Sequence, residues 1–232
     1  MLSRENAALR KIDLFSENRD NAENNREGSR ALKQPKAGAE NLSVQETQAA
    51  AQRLARNTAA NEAFIQQHYP DEIFLSDTAQ VQAANRYTKK IVLPENVKIA
   101  KSRIAIKSNE QQRILRKELR QAGILSRLGN SVYLTPEQFI YQTRVTDAIV
   151  NGVPYEFRNV TGKEGKIETR FSDAKKKGTG TNVYMYIDSK TSKDEVRHRI
   201  GLVLGRHPEY TGKIIVSIMG GTPHFWDSSS FR

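Results

Sequence analysis

The sequence contains no cysteine among its 232 residues. That absence excludes disulfide bonds, thiol nucleophiles and zinc sites with cysteine ligands. It also suits a chain that has to unfold and refold in passing between compartments, because no disulfide then has to break or re-form. We therefore expect packing, hydrogen bonds and charge to carry both stability and chemistry.

Long apolar segments are missing as well. No apolar run approaches the roughly 20 residues that a membrane-spanning helix needs, and the mean hydropathy is -0.67. Residues 1–6 lack the apolar core of a secretory signal. We therefore expect no stable membrane span, and we expect any export to occur as part of a larger protein or through a dedicated machine.

Familiar catalytic motifs are absent too. The chain has no glycine-rich phosphate loop followed by Lys and Ser or Thr, no His-Glu-x-x-His and no Gly-x-Ser-x-Gly. This excludes the common nucleotide-binding, zinc-protease and serine-hydrolase patterns. Candidate chemistry has to be sought among charged side chains brought together by the fold.

Positive charge is what the chain has in excess. It carries 37 Lys and Arg against 26 Asp and Glu, a formal net charge of +11, with a pI of about 9.8. Such a balance favours a polyanionic partner, which means nucleic acid, an anionic membrane or an acidic protein. Because no apolar span accompanies the charge, the membrane is the weakest of the three.

Composition divides the chain into three regions. Residues 1–40 are polar and predict a disordered segment or linker. Residues 41–97 open with the capping box Ser43–Glu46 and predict a helical entry or connector region. Residues 98–232 alternate capped helices with β-rich runs, which predicts an α+β domain with a mixed β-sheet covered by helices.

The elements predicted for residues 98–232 are marked by caps, glycines and apolar runs. In chain order they are a helix opened by Ser108 and ended by Gly123, a short helix at 135–140, a hairpin turning at Asn151–Gly152, a basic helix at 169–177, a strand at 183–187, a helix capped by Ser192, a strand at 213–219 and a last strand at 223–227.

The hairpin is the most informative of these elements. Asn-Gly between two apolar runs is a strong signal for a tight turn. Side chains two residues apart on a strand point the same way, so Glu156 and Arg158 share one face and Asp147 can lie across from them. Two acids and a fixed cation can serve phosphodiester cleavage. The alternative is an ordinary hairpin with a solvated polar face.

The basic helix and one histidine complete the candidate site. Arg170, Lys175, Lys176 and Lys177 are candidates for binding a phosphate backbone, although such a charge run is more often a solvated face. His224 stands beside Gly-Gly and Phe-Trp pairs and is the best histidine candidate for general acid–base work. Its alternative role is structural.

Residues 98–232 resemble the C-terminal toxin domains of contact-dependent growth-inhibition effectors and related polymorphic-toxin and phage ribonucleases. The resemblance rests on four segments, namely 147–160, 170–176, 183–187 and 221–227. It implies an antibacterial endoribonuclease that cleaves RNA, with transfer RNA favoured, and that a cognate acidic immunity protein neutralises. It also implies secretion within a larger effector and delivery to the cytoplasm of target bacteria.

Two mechanisms are compatible with that resemblance. In the barnase, EndoU, colicin and RelE group no cofactor is needed, so Asp147, Glu156, Arg158 and His224 would be catalytic without metal. In the PD-(D/E)xK group, Asp147 and Glu156 would hold a divalent ion such as Mg²⁺. Arg158 stands where that group has Lys, and no Pro precedes Asp147, so the metal-free mechanism is preferred. The rival class is a non-catalytic basic nucleic-acid-binding accessory protein.

Overall fold

The computed structural model describes residues 37–136, 146–162 and 166–231. Its contacts divide the chain into two units, residues 1–55 and residues 56–232. The predicted disordered region 1–40 lies outside the described residues apart from its last four, which are helical. The short helix predicted at 135–140 falls almost entirely outside them too. No described helix is both long and apolar enough to cross a membrane.

The described residues form five α-helices and eight strands. The helices are α1 (Ala37–His68), α2 (Thr78–Ala83), α3 (Asn109–Ser126), α4 (Lys166–Lys175) and α5 (Lys193–Gly205). The strands are β1 (Phe74–Leu75), β2 (Val97–Ala100), β3 (Val132–Leu134), β4 (Ala148–Val150), β5 (Val153–Thr161), β6 (Asn182–Asp188), β7 (Lys213–Ile218) and β8 (His224–Asp227). Two 3₁₀ helices lie at Lys101–Ile104 and Ser228–Phe231.

All eight strands join one mixed sheet in the order β1 to β8. The pairs β2–β3, β5–β6 and β6–β7 are parallel, and the other neighbours are antiparallel. Helices α3, α4 and α5 each connect two of the parallel neighbours, as parallel pairing requires a crossover. The predicted α+β class is confirmed.

The two faces of the sheet bury separate cores. Along β6, Val183, Met185 and Ile187 pack with α4 and α5, while Tyr184 packs with α3 on the opposite face. This alternation follows from the two-residue period of a strand. Val160 on β5 joins the α4–α5 core, so even-numbered residues of β5 point to that face.

The caps predicted at Ser108 and Ser192 are confirmed. The helix start predicted at Ser43 is wrong, because α1 begins at Ala37, and the predicted end of α3 is wrong too. Ser108 Oγ accepts from Gln111 N at 3.2 Å and Ser192 Oγ accepts from Glu195 N at 3.1 Å. Helix α3 passes through Gly123 and continues to Ser126. A Cβ at position 123 would lie 3.1 Å from Pro94 Cγ, so this glycine allows close packing and does not end the helix.

The boundary expected between residues 97 and 98 falls within the sheet. Strand β2 spans this boundary and pairs with both β1 and β3. The expected domain start at residue 98 therefore falls inside β2. Short strands of three or four residues carry too little alternation to stand out in a sequence.

The hairpin turn forms as predicted and is held by helix α1. Asn151 and Gly152 have φ values of 52° and 81°, which is the pairing that a type I′ turn needs. The buried Asn61 accepts a hydrogen bond from Gly152 N at 2.6 Å and donates one to Ser131 Oγ at 3.0 Å. The turn that orders the hairpin is thus fixed from outside it.

We expect Gly152→Ala to destabilise the protein more than Gly129→Ala. Both glycines have positive φ, but an added Cβ would lie 2.9 Å from Ala60 Cβ at position 152 and meets nothing within 4 Å at position 129. The left-handed backbone costs about 1–2 kcal/mol in either variant, and the clash adds about 1–3 kcal/mol at position 152 alone. Urea unfolding measures both; equal losses would contradict the packing of α1 on the turn.

Candidate active site

Arg158 joins the two acids of the hairpin, as the sequence predicts. Its Nη2 lies 2.9 Å from Glu156 Oε2 and its Nη1 lies 3.1 Å from Asp147 Oδ2. Asp147 Oδ2 also accepts from Phe157 N at 2.8 Å. One guanidinium group therefore bridges two carboxylates from opposite strands of the hairpin.

Lys177 reaches the same cluster from a distant part of the chain. Its Nζ lies 2.7 Å from Glu156 Oε2. Helix α4 ends at Lys175, and the following turn leads into β6, where Val183 lies beside Glu156 in the parallel register. The crossover from β5 to β6 thus brings the turn after α4, which carries Lys177, close to Glu156. We name Asp147, Glu156, Arg158 and Lys177 the acid–base cluster.

Burial separates the roles available to these four side chains. The Glu156 side chain has no exposed surface, while those of Arg158, Asp147 and Lys177 are 20%, 23% and 25% exposed. Glu156 Oε1 receives no hydrogen bond from the described residues. The alternative of a solvated polar face therefore does not hold for Glu156. Three partly exposed groups surround one buried carboxylate.

The pKa of Glu156 is raised above its ordinary value. Burial is the main cause, and the neighbouring charge of Asp147 adds to it. The hydrogen bond from Lys177 and the charge of Arg158 act in the opposite direction. Like charges and desolvation at close range are the usual means by which a site perturbs a carboxyl group.

Asp147 is anchored from the opposite side of the sheet by a residue that the sequence did not single out. The buried Arg103 donates to the carbonyl oxygens of Thr135 and Asp147. Its guanidinium is itself held by Glu118 of α3, at 2.7 Å from Nη2 to Oε1 and 3.2 Å from Nε to Oε2. Nothing local in the sequence marks Arg103, because its partners lie 15 to 44 residues away.

The remaining basic candidates lie outside the cluster. Lys175 Nζ lies 3.8 Å from Glu209 Oε1, Lys176 Nζ lies 3.1 Å from Asp173 Oδ1, and Arg170 is exposed. Buried Ile167, Phe171 and Ala174 hold the inner face of α4 against the sheet. These three cations therefore lie outside the acid–base cluster, and the Lys175 side chain is 13% exposed whereas that of Lys176 is 75% exposed.

His224 does not join the acid–base cluster. It lies in the same row of the sheet as Arg158, through Met185 and Val216, but three strands away, or about 14 Å. Its ring stacks on Trp226 with centroids 6.1 Å apart. Burial, followed by the charge of Lys193, lowers its pKa. These surroundings match the structural alternative.

The described residues contain no group of three or more His, Cys, Asp or Glu side chains able to hold a metal ion. The acid–base cluster does offer two carboxylates, those of Asp147 and Glu156. Mg²⁺ commonly binds proteins through one or two carboxylates together with water and substrate phosphate. Arg158 and Lys177 already contact Asp147 Oδ2 and Glu156 Oε2, so such an ion would use the remaining oxygens, among them Glu156 Oε1, which receives no hydrogen bond from the described residues.

Comparison with known proteins gives a partial structural likeness. No protein-family model matches the chain, and neither does any curated protein. Among solved structures, a chain of the "CdiA-CT/CdiI toxin and immunity complex from Burkholderia pseudomallei" is similar, with a TM-score of 0.42 and 21% sequence identity. The alignment covers 53% of this chain and 91% of that chain.

We expect stability to fall with rising pH through Glu156. Folding raises the pKa of this carboxyl group, so the native state binds its proton more tightly than the unfolded chain. The resulting stabilisation is complete below the ordinary glutamate pKa of about 4.3 and is lost as pH rises through the folded-state pKa. Glu156→Gln cannot ionise and should lack this loss.

Urea unfolding of both proteins across the acid-to-neutral range, followed by the single tryptophan, measures that difference. Glu110→Gln is the matched control. The pKa of exposed Glu110 is lowered by Arg113, so its contribution has the opposite sign and is lost as pH falls. A Glu156→Gln minus wild-type difference that stays constant with pH would contradict the raised pKa.

Proposed function

We propose that this chain is an endoribonuclease whose active site is the acid–base cluster. The observation that carries the proposal is the 2.7 Å contact between Lys177 and Glu156, beside Asp147. This contact adds a lysine to Asp147 and Glu156, for which the sequence predicted no cationic neighbour other than Arg158. Two carboxylates and a lysine are a set that phosphodiester cleavage can use for proton transfer and charge stabilisation.

RNA is the proposed substrate class, with transfer RNA favoured. The net charge of +11 supports a polyanionic substrate. The resemblance of residues 98–232 to growth-inhibition toxins supports RNA cleavage inside a target bacterium, after delivery to its cytoplasm within a larger effector. The buried carboxylate of Glu156, which lies between Arg158 and Lys177, supports catalysis over a non-catalytic basic binding protein.

Each member of the cluster has a role that its exposure allows. Arg158 and Lys177 reach solvent and bind the scissile phosphate, neutralising the charge that develops on it. Asp147 reaches solvent and accepts the proton of the attacking group, which is water in the route with metal and the ribose 2′-hydroxyl in the metal-free route. Glu156 is buried, so it acts as a positioning residue that holds the two cations side by side. Lys177 donates a proton to the departing oxygen, which is the 3′-oxygen when water attacks and the 5′-oxygen when the ribose 2′-hydroxyl attacks.

A divalent cation such as Mg²⁺ fits the same site, with Asp147 and Glu156 as its ligands. When bound, it would supply positive charge to the scissile phosphate. The PD-(D/E)xK group has a lysine where this chain has Arg158. Lys177 can take the place of that lysine, because it reaches Glu156 from another part of the chain. The metal-free route is the second candidate, because Arg158 already bridges both carboxylates and balances their charge.

Cleavage of total bacterial RNA by the purified chain, with and without EDTA, distinguishes the routes. We expect discrete fragments that EDTA abolishes and Mg²⁺ restores, ending in 3′-hydroxyl and 5′-phosphate. Fragments formed in EDTA and ending in 2′,3′-cyclic phosphate would establish the metal-free route, in which the ribose 2′-hydroxyl attacks. No cleavage under either condition would overturn the endoribonuclease proposal.

Lys177→Ala tests the residue that completes the cluster. Loss of a proton donor typically lowers a rate by about 100-fold or more, and we expect a loss of that size in kcat. Lys177→Arg keeps the charge but is a poor proton carrier, so it should restore substrate binding and not the rate. Lys213→Ala removes an exposed cation elsewhere and should keep full activity. Equal rates for all variants would exclude Lys177 from catalysis.

An acidic immunity protein is the partner we propose, covering Arg158, Lys175 and Lys176. Complementary charge speeds the encounter and excludes RNA from the same surface. Lys175→Glu with Lys176→Glu should weaken the inhibitor complex and RNA binding together, measured by titration calorimetry and by RNA anisotropy. Lys190→Glu with Lys213→Glu is the matched charge control. Unchanged inhibitor affinity in the first pair would place the interface elsewhere.

A further inference from the structure

A second basic surface lies on helix α3, on the opposite face of the sheet from the acid–base cluster. It is a groove of about 540 Å³ between α3 and the segment that precedes β2. Lys90, Arg116, Arg120 and Arg127 line it, and Val92 and Leu119 contribute apolar surface. We name it the α3 groove. None of the residues that line it is acidic.

The arginines of the α3 groove follow one side of the helix. Arg116, Arg120 and Arg127 are four and then seven residues apart, which places them on the same face. At 1.5 Å rise per residue they span about 16 Å along the helix axis. Gly123 lies between them and brings Pro94 against the helix. The groove therefore presents a row of guanidinium groups along an open channel.

The cations of the α3 groove lie together in one channel and have no acidic partners there. Lys90, Arg116, Arg120 and Arg127 form no ion pair within the part of the chain that the structure describes. By contrast, Arg113 on the same helix lies 2.7 Å from Glu110. Arg120 lies over the ring of Tyr186 at 5.3 Å, which orders the side chain without cancelling its charge.

Four uncompensated cations in one groove repel one another, and an anionic occupant relieves that repulsion. Arginine suits phosphate because its planar group can donate two hydrogen bonds to one anion. Exposed Val92, at 68%, offers apolar surface to a ribose or a base. The chemistry of the groove therefore matches a nucleic-acid strand.

We propose that the α3 groove binds the phosphate backbone of a folded RNA at a distance from the cleavage cluster. Naming RNA as the occupant rests on the proposed function. Because the sheet and a helix about 10 Å across separate the two surfaces, a short oligonucleotide cannot occupy both. A folded RNA of transfer-RNA size can pass around the edge of the sheet. The groove thus selects structured RNA over short strands.

Fluorescence anisotropy of the full chain with bulk bacterial transfer RNA and with a short RNA oligonucleotide tests the proposal. Asp147→Asn is the background for every protein, so that bound RNA stays intact. Arg116→Gln with Arg120→Gln should weaken transfer-RNA affinity about tenfold and reduce the slope of log affinity against log salt by about 1.5. Oligonucleotide affinity should be unchanged.

Arg113→Gln with Lys117→Gln is the matched control, since it removes two cations from the same helix outside the groove. It should have a clearly smaller effect on transfer-RNA affinity. Equal effects of the two pairs would overturn the proposal. The variant with Arg116→Gln and Arg120→Gln is called the groove pair. If it has a lower thermal unfolding midpoint than its background, Lys90→Gln with Arg127→Gln tests the same prediction from other positions in the groove.

Two further outcomes separate this proposal from its rivals. If the groove pair loses affinity for an acidic immunity protein and keeps its affinity for transfer RNA, the groove is a protein interface and the proposal is wrong. Cleavage by the wild-type chain is measured in parallel. Groove-dependent binding without any cleavage would overturn the endoribonuclease proposal alone, whereas cleavage with groove-independent binding would overturn this one alone.

Discussion

The burial of the Glu156 carboxylate is the constraint that ties strand β5 to the turn after α4. A carboxylate without solvent contact is costly unless cations lie against it, and removing one partner of a buried pair costs about 3–5 kcal/mol. Arg158 comes from the same strand, but Lys177 comes from the turn that follows α4. The carboxylate therefore links the hairpin and the α4 crossover in one charge cluster.

A second arginine ties this cluster to the other face of the sheet. Arg103 is paired with Glu118 of α3 and donates to the backbone carbonyl oxygen of Asp147. The carboxylate of Asp147 then meets Arg158 on the side where α4 packs. Asp147 is thus held through its backbone from one layer and through its side chain from the other. Such double anchoring gives a site the fixed geometry that proton transfer and phosphate binding require.

The excess positive charge of the chain is distributed unevenly between paired and unpaired cations. Lys98, Lys175, Lys176 and Arg199 all lie next to carboxylates. The α3 groove collects cations without such partners. Exposed ion pairs contribute little stability and largely cancel the local field, so an anionic partner is attracted chiefly where cancellation fails. Net charge therefore predicts the class of partner, and the α3 groove is one place where cations without carboxylate partners line a single channel.

The sequence by itself determined the features that depend on neighbouring residues. Asn151–Gly152 set the hairpin, the two-residue period put Glu156 and Arg158 on one face, and Ser108 and Ser192 capped their helices. The short strands β2 and β3 could not be predicted from the sequence, because three or four residues show too little alternation of apolar and polar side chains.

Only the tertiary structure decided which distant residues meet. It brought Lys177 to Glu156, placed His224 three strands away and made Gly123 a packing contact against Pro94. It also recruited Arg103 to the backbone of Asp147. None of these contacts follows from local spacing, because each depends on how helices and strands far apart in the chain pack over one sheet.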